Sequence, residues 1–335
     1  MLAQAVFRRR RLALGLASVV TLLILAASLF VGRYPRPVWM PWAILIEDPL
    51  ARRLILSLRL PRLLLALLLG ASLSASGAVF QMLFRNPLVE PGFLGVSQGA
   101  AFGAAVGILW LGSGSLAMQA LAIFFALLGL ALSYGLAQRL RFGGWLLRLV
   151  LAGIAVSALF SAGTGMLKYL ADPLTELPEL TFWLLGGLWQ ATWQDLLRAL
   201  PFALPGLAVL VLLRWRLNLL SMQDEVSWSL GAVPNRERGL LLLGAVAATA
   251  SLTSVAGIVG WVGLIVPHLA RRIFGADAQH HLIGSLLLGG AFTLACDDLA
   301  RTLLPGEIPL GVITSLLGAA FFLMIMTMLG GGRKP

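Results

Sequence analysis

Long apolar runs separated by short polar breaks dominate the hydropathy pattern of this chain. Each run is close to the roughly 20 residues that an α-helix needs to cross a bilayer. The strands of a membrane barrel would instead alternate apolar and polar residues. The pattern therefore predicts about ten membrane-spanning helices, at approximately residues 12–32, 60–84, 93–112, 116–138, 146–170, 201–213, 239–259, 261–274, 282–300 and 309–329.

Three segments depart from this regular pattern. Residues 182–200 are aromatic and only intermittently apolar, which favours an interfacial segment before the sixth span. Residues 217–238 form the longest polar interruption, and residues 112–115 (GSGS) indicate a turn. Arg8–Arg11 before the first run is also typical of a signal peptide, but the run is too long and no small-residue cleavage site follows, so we expect a retained span.

Composition supports a membrane protein. Hydrophobic residues make up 59% of the chain and charged residues 12%, and the mean hydropathy is +0.92. A soluble domain cannot bury this much apolar surface, so we expect an all-α integral membrane protein, a polytopic helical bundle forming one domain over residues 1–335.

The net charge of +11 comes from arginines at the ends of the apolar runs rather than from a basic domain, so no nucleic-acid partner is expected. The bias of these charges predicts that both termini are cytoplasmic. The exceptions gather before the second span, at Arg52, Arg53, Arg59 and Arg62.

Several kinds of chemistry find no support in the sequence. Cys296 is the single cysteine, and the three histidines fall near predicted inner ends, so no fixed metal site or cofactor is expected. No nucleophile with a base partner stands out. A phosphate-binding loop needs a lysine in a glycine-rich context, and neither Lys168 nor Lys334 has one. If transport uses ATP, a separate subunit must hydrolyse it.

Glycines and hydroxyls recur within the spans. Gly99, Gly103 and Gly107 are four residues apart, so they share one helix face where another helix can pack closely. Hydroxyl side chains on the fifth and tenth spans could line a pathway, although such groups often bond to their own backbone. These residues are Ser157, Ser161, Thr164, Thr314 and Ser315.

The loop at 217–238 has the features of a short amphipathic helix. Ser221 would cap its start, and Asp224 and Glu225 would lie in its first turn. Leu230-Gly231 would end it, and Pro234-Asn235 would begin another short turn.

Four separated blocks resemble a known family. They are RLPR (59–62), SGAVFQMLFRNPLVEPGFLGVSQGAA (76–101), GIVGWVGLIVPHLARRIFGAD (257–277) and EIPLGVITSLLGAAFF (307–322). Together they resemble the FecCD-type permeases of bacterial ABC importers, which take up iron-siderophores, haem and cobalamin. The resemblance covers roughly residues 55–328 and keeps the blocks in order.

The resemblance implies an assembly in the bacterial inner membrane. It predicts the type II importer permease fold, a homodimer, two cytoplasmic ABC ATPases and a periplasmic or lipid-anchored binding protein. The implied cargo is a bulky iron chelate, haem or a ferric siderophore ahead of cobalamin, with oxyanions as an alternative.

The resemblance also implies roles for individual residues. Arg59, Arg62 and Arg301 would meet carboxylates of the binding protein. The alternatives are interfacial snorkelling and, for Arg301, an ion pair within its helix with Asp297 or Asp298. The 217–238 loop would couple to the ATPase, Gly143-Gly144 would match the cytoplasmic gate, and the fifth and tenth spans would face the dimer axis.

Two other classes of protein were weighed. A secondary transporter driven by an ion gradient needs acidic residues or histidines at mid-membrane. In the predicted topology Asp297 and Asp298 are the arguable exceptions to an otherwise terminal placement of acidic residues. A membrane enzyme would need a reactive constellation, which the sequence does not offer.

Overall fold

The computed structural model describes residues 2–35, 38–112 and 115–330. Part of the turn predicted at residues 112–115 and the C-terminal residues 331–335 lie outside them. The described helices are α1 (Leu2–Ser28), α2 (Ile44–Glu47), α3 (Pro49–Leu54), α4 (Leu60–Leu83), α5 (Val96–Leu111), α6 (Leu116–Arg139), α7 (Trp145–Leu170), α8 (Glu176–Leu185), α9 (Trp193–Leu212), α10 (Arg214–Leu220), α11 (Asp224–Ser229), α12 (Pro234–Ala256), α13 (Val262–Phe274), α14 (Ala278–Thr302) and α15 (Leu310–Gly330).

Four short elements complete the described fold. Strands β1 (Val31–Gly32) and β2 (Val38–Trp39) pair antiparallel between α1 and α2. A π-helical turn, Ile55–Arg59, joins α3 to α4, and a 3₁₀ turn, Pro91–Leu94, precedes α5.

The helical bundle predicted from the sequence is confirmed, since a helix lies at each predicted span. Seven of the described helices are long and apolar enough to cross a membrane. The predicted third and tenth spans fall on α5 and α15, whose apolar parts are shorter, and the eighth falls on α13.

Two predicted boundaries are wrong. The second span does not start at residue 60, because the helix runs continuously from Pro49 to Leu83 through the π-helical turn. Residues 182–200 are not one interfacial segment, because α9 begins at Trp193 and continues through Pro201 and Pro205. A capping box starts α9: Thr192 Oγ1 accepts from the backbone N–H of Asp195, whose carboxylate accepts from the backbone N–H of Thr192.

The interior of the bundle is built on α4 and α12. In each, 72% of the most apolar stretch is buried, against 11% in α1, so α1 lies at the periphery. Glycines allow α4 to approach α14, because a Cβ on Gly70 would lie 2.1 Å from the Gly289 carbonyl oxygen. The glycine face of α5 lies against α6: a Cβ on Gly99 or Gly103 would lie 2.3 Å from a backbone oxygen of α6, and one on Gly107 would lie 2.6 Å from Met118 Cα.

Candidate functional site

Arg62 lies at the start of α4 and is buried, with 8% of its surface exposed. Its Nη2 lies 2.9 Å from Asp297 Oδ1 on α14, and its Nη1 lies 2.8 Å from Glu307 Oε2 in the α14–α15 connection. Asp297 is fully buried, whereas the Glu307 side chain is 42% exposed. Glu307 therefore covers Arg62 from the solvent side.

Arg301, near the end of α14, is buried in the same cluster. Its Nε lies 3.0 Å from Asp297 Oδ2, and its Nη2 pairs with Asp298. Nη1 donates to the Val31 carbonyl at 3.0 Å. The ion pair within the helix, which the spacing of these residues allowed, is therefore present, and the side chain also ties β1 to α14.

Arg59 is the third member of the cluster and is 6% exposed. Its Nη1 donates to the Leu29 carbonyl at 2.8 Å, and its guanidinium packs against Gly32, where a Cβ would lie 2.4 Å from Nη2. The neighbouring Tyr34 hydroxyl donates to Asp48 Oδ2 at 2.5 Å. That hydrogen bond lowers the pKa of Asp48 and raises the pKa of Tyr34.

The three arginines are therefore not open charges on a rim. They connect the end of α1, the start of α4 and the end of α14, and the carboxylates around them are largely satisfied by these pairs. Their role in docking stays a prediction. Of the carboxylates paired with Arg62, Glu307 is the accessible one.

At the opposite end of α4 lie the residues expected to couple to an ATPase. Asp224 begins α11 and pairs with Arg238 of α12, with Nη2 2.7 Å from Oδ1. The Arg238 guanidinium also lies 5.5 Å from the centre of the Trp145 ring, at the start of α7. One buried arginine thus joins α11, α12 and α7, beside the predicted gate at Gly143-Gly144.

Some predicted features of this loop are wrong. Ser221 does not cap α11, since it follows α10 and its hydroxyl donates to the Asn218 carbonyl at 2.8 Å. The N-cap of α11 is Gln223, with no side-chain hydrogen bond. Pro234 starts the long helix α12 rather than a short turn.

Other predictions for this loop agree with the structure. Asp224 and Glu225 do lie in the first turn of α11. The helix ends at Ser229 with Leu230 as its C-cap, and Gly231 follows with φ +79°. Apolar side chains on this surface are exposed, at Met222, Val226, Trp228, Leu230 and Val233.

The predicted pathway residues are spread over several environments. Thr164 and Thr314 are buried and donate to the carbonyls of Phe160 and Gly311 in their own helices, at 2.9 and 3.2 Å. Ser161 is exposed and Ser315 half-buried. Gly143 and Gly144 are exposed between α6 and α7, and Gly143 has φ +60°. Ser157 is half-buried and lines a cavity.

That cavity, of about 350 Å³, holds an acidic residue that the predicted topology left at a helix end. Glu90 lies beside Gly263 of α13. Gly263 in turn packs against Leu73 and Gly77 of α4. These positions are six to ten residues before the end of α4, or about 9–15 Å along its axis. The prediction that Asp297 and Asp298 are the sole candidates for acidic residues within the bundle is therefore wrong.

A larger cavity, of about 660 Å³, lies between α8, the start of α9 and the ends of α5 and α12. Gln119 Nε2 donates to Asp195 on its wall at 2.7 Å. The buried Trp183 indole N–H, also on its wall, has no partner among the described residues. The Thr192–Asp195 spacing in the sequence indicates the start of α9, which forms part of the cavity wall.

The histidines do not form a metal site in the part of the chain that the structure describes, where no group of three or more potential ligands is found. His280 Nδ1 lies 2.7 Å from Asp277 Oδ2 at the start of α14.

Comparison with known proteins gives consistent matches. The model of the FecCD transport family matches residues 20–328. A probable iron chelatin transport permease of Helicobacter pylori is 45% identical over 82% of both chains. The molybdate permease MolB of Haemophilus influenzae is 38% identical over 93% of this chain and 92% of its own. The hemin permease HmuU of Yersinia pestis is 42% identical over 81% and 82%.

A solved structure matches the whole fold. It is an inward-facing conformation assigned to a metal-chelate type ABC transporter, with a TM-score of 0.87 and 35% identity, and it covers 94% of this chain and 98% of its own.

Proposed function

Because the chain belongs to the FecCD transport family, we propose that it is the membrane permease of an ATP-driven importer for a bulky iron chelate, either haem or a ferric siderophore. The strongest single support is the 0.87 TM-score to a metal-chelate type ABC transporter over 94% of the chain. The iron chelatin and hemin relatives, at 45% and 42% identity, favour the same cargo class.

The proposed assembly contains two copies of this chain, two ATPase subunits and a binding protein, in a bacterial inner membrane with both termini cytoplasmic. The exposed apolar side chains around α11 are suited to a groove of the ATPase. The ion pair between Asp224 and the buried Arg238 would pass the movement of α11 to α12 and, through Trp145, to α7.

The binding protein would dock at the opposite end, over the arginine cluster. Its carboxylates would approach Arg62 where Glu307 now lies, since that side of the guanidinium faces solvent. Charge complementarity of this kind fixes orientation and speeds association.

A second cargo class has its own support. The molybdate relative matches 93% of this chain, whereas the iron chelatin relative matches 82%. Import of an oxyanion is therefore the competing hypothesis. Cobalamin import also occurs in the family, in a relative 39% identical over 81% of this chain.

Uptake into proteoliposomes tests the proposal. The chain is reconstituted with its neighbouring ATPase and given radio-iron chelate, haem, cobalamin or molybdate on the matching binding proteins. Iron chelate or haem uptake that needs all three components supports the proposal. Uptake of molybdate or cobalamin alone would overturn the cargo assignment.

The same vesicles separate primary from ion-coupled transport. ATP-dependent uptake that persists when ionophores abolish every ion gradient removes the secondary-transporter reading, whereas uptake driven by a gradient without the ATPase would overturn the importer. Replacing Asp297 and Asp298 by Asn is a weaker test, because these carboxylates neutralise Arg62 and Arg301.

A further inference from the structure

The 350 Å³ cavity inside the bundle collects polar side chains from four parts of the chain. Glu90 precedes the 3₁₀ turn, Ser97 and Gln98 belong to α5, Ser157 to α7 and Thr253 to α12. Among the described residues, none of these five side chains has a hydrogen-bond or ion-pair partner. These polar groups line the cavity and are not sealed within the protein, so they are available to a polar or charged ligand there.

The charge on the wall of this cavity is negative. Glu90 contributes a carboxylate, and no lysine, arginine or histidine is among the described residues that line the cavity. The other unpaired groups are hydroxyls and an amide, each of which carries an oxygen that can accept. A carboxylate held about 9–15 Å inside the end of a membrane-spanning helix is costly unless a cation or proton accompanies it.

The backbone around the cavity is irregular in a way that suits a cation. α12 ends at Ala256 and α13 begins at Val262, and Ile258, Val259 and Gly260 of the non-helical stretch between them line the cavity. Interrupted helices whose unwound segments face a cavity are a recurrent way to supply oxygen ligands within a membrane.

We propose that this cavity binds one monovalent alkali cation, Na⁺ or K⁺, with Glu90 as its charged ligand and the hydroxyls of Ser97, Ser157 and Thr253 as neutral ones. Oxygen donors suit hard cations, and a single carboxylate balances a single positive charge. The volume leaves room for several waters at about 30 Å³ each, so the cation keeps part of its hydration shell.

This inference does not depend on the cargo or on ATP. The cation neutralises Glu90 and links α5, α7 and α12 around the connection that leads into α5. A site of this kind binds in the isolated permease, so it can be measured without transport.

The test uses the full-length protein purified in detergent. Binding of ²²Na⁺, and of Tl⁺ as a substitute for K⁺, is measured by scintillation proximity. The thermal midpoint is followed in NaCl, KCl and N-methylglucamine chloride at equal ionic strength. We expect saturable binding of about one ion per chain, and a higher midpoint in the alkali salt than in N-methylglucamine chloride, because a ligand that binds the native state stabilises it.

Variants identify the site. Glu90→Gln should weaken cation affinity by about tenfold or more, and Ser97→Ala or Thr253→Val should weaken it by a smaller factor. Glu47→Gln is the matched control, since it removes the same charge from an exposed side chain with no partner among the described residues, and it should bind like the wild type.

Three results would overturn the proposal. One is equal thermal midpoints in all three salts with no saturable binding of Na⁺ or Tl⁺. Another is unchanged binding in Glu90→Gln. If Glu90→Gln does not fold, a cation affinity equal to that of the wild type in both Ser97→Ala and Thr253→Val would also overturn the proposal.

Discussion

Arg62 on α4 and Asp297 on α14 form an ion pair across 235 residues of sequence, with Arg62 Nη2 2.9 Å from Asp297 Oδ1 and no part of Asp297 exposed. Asp297 also lies 3.0 Å from Arg301 Nε. One buried carboxylate therefore neutralises two arginines. Its loss would leave both guanidiniums short of negative charge, which costs far more than loss of a surface pair.

We expect Asp297→Asn to lower the free energy of unfolding by about 3–5 kcal/mol. Arg62 would keep Glu307 and Arg301 would keep Asp298, but the shared central charge would be gone. The measurement is an unfolding titration in detergent, with Glu47→Gln as the control for loss of one exposed carboxylate. A change of less than about 1 kcal/mol would show that the pair behaves like an exposed one.

Glu307→Gln should raise the affinity of the permease for its binding protein. Glu307 is the half-exposed partner of Arg62, and it stands where a partner's carboxylate would have to bind. Removing its charge frees Nη1 without touching Asp297, so we expect an affinity gain of about three- to tenfold, lost at high salt.

Surface plasmon resonance with the permease in nanodiscs measures this affinity. Glu47→Gln again removes one exposed negative charge and serves to subtract the general electrostatic effect. An affinity that rises equally in both variants would mean that Glu307 has no specific role. Replacing Arg62 itself is less informative, because its buried pair with Asp297 would be broken too.

Arg238→Gln should uncouple ATP hydrolysis from uptake while leaving the fold intact. Arg238 is buried and joins α11 to α12 and Trp145, whereas its partner Asp224 is 51% exposed. Since Asp224 can be rehydrated, the stability loss should be only about 1 kcal/mol. Arg236→Gln is the matched control, because Arg236 is exposed on the same helix and has no hydrogen-bond or ion-pair partner among the described residues.

The readout is the ratio of cargo imported to ATP hydrolysed in proteoliposomes. We expect that ratio to fall several-fold in Arg238→Gln and to stay at the wild-type value in Arg236→Gln. Equal ratios in the two variants would show that the Asp224–Arg238 pair does not transmit movement.

The sequence predicted the spans well because length and hydropathy are local properties. It also allowed the Arg301 ion pairs, since Asp297 and Asp298 lie one helical turn away. The partners of Arg62 could not be predicted from the sequence. Glu307 is 245 residues away and contacts Arg62 only once α4 and α14 have packed together.

Two other predictions were wrong. The intermittent apolar pattern of residues 182–200 favoured an interfacial segment, yet α9 begins within it, with a capping box at Thr192. Glu90 falls between the predicted spans 60–84 and 93–112, so the predicted topology placed it at a helix end. The structure instead brings the connection that carries Glu90 back beside Leu73 and Gly77, six to ten residues before the end of α4. Only tertiary packing decides that depth.

The approach of α5 to α6 gives the last prediction. A Cβ added at Gly103 would lie 2.3 Å from the Leu121 carbonyl oxygen and 2.7 Å from its carbon. These are backbone atoms of a helix, so they cannot rotate away as a side chain would. Gly103→Ala must therefore push the two helices apart, and we expect it to lower the free energy of unfolding by about 1–3 kcal/mol.

Gly135→Ala on α6 is the matched control for this effect. Nothing lies within 4 Å of its added Cβ, so the substitution keeps the gain of about 0.5–1 kcal/mol that alanine brings to a helix interior. Unfolding titrations of the two variants should thus shift in opposite directions from the wild type. A stabilised Gly103→Ala would mean that α5 and α6 separate at little cost, contrary to the close backbone contact described here.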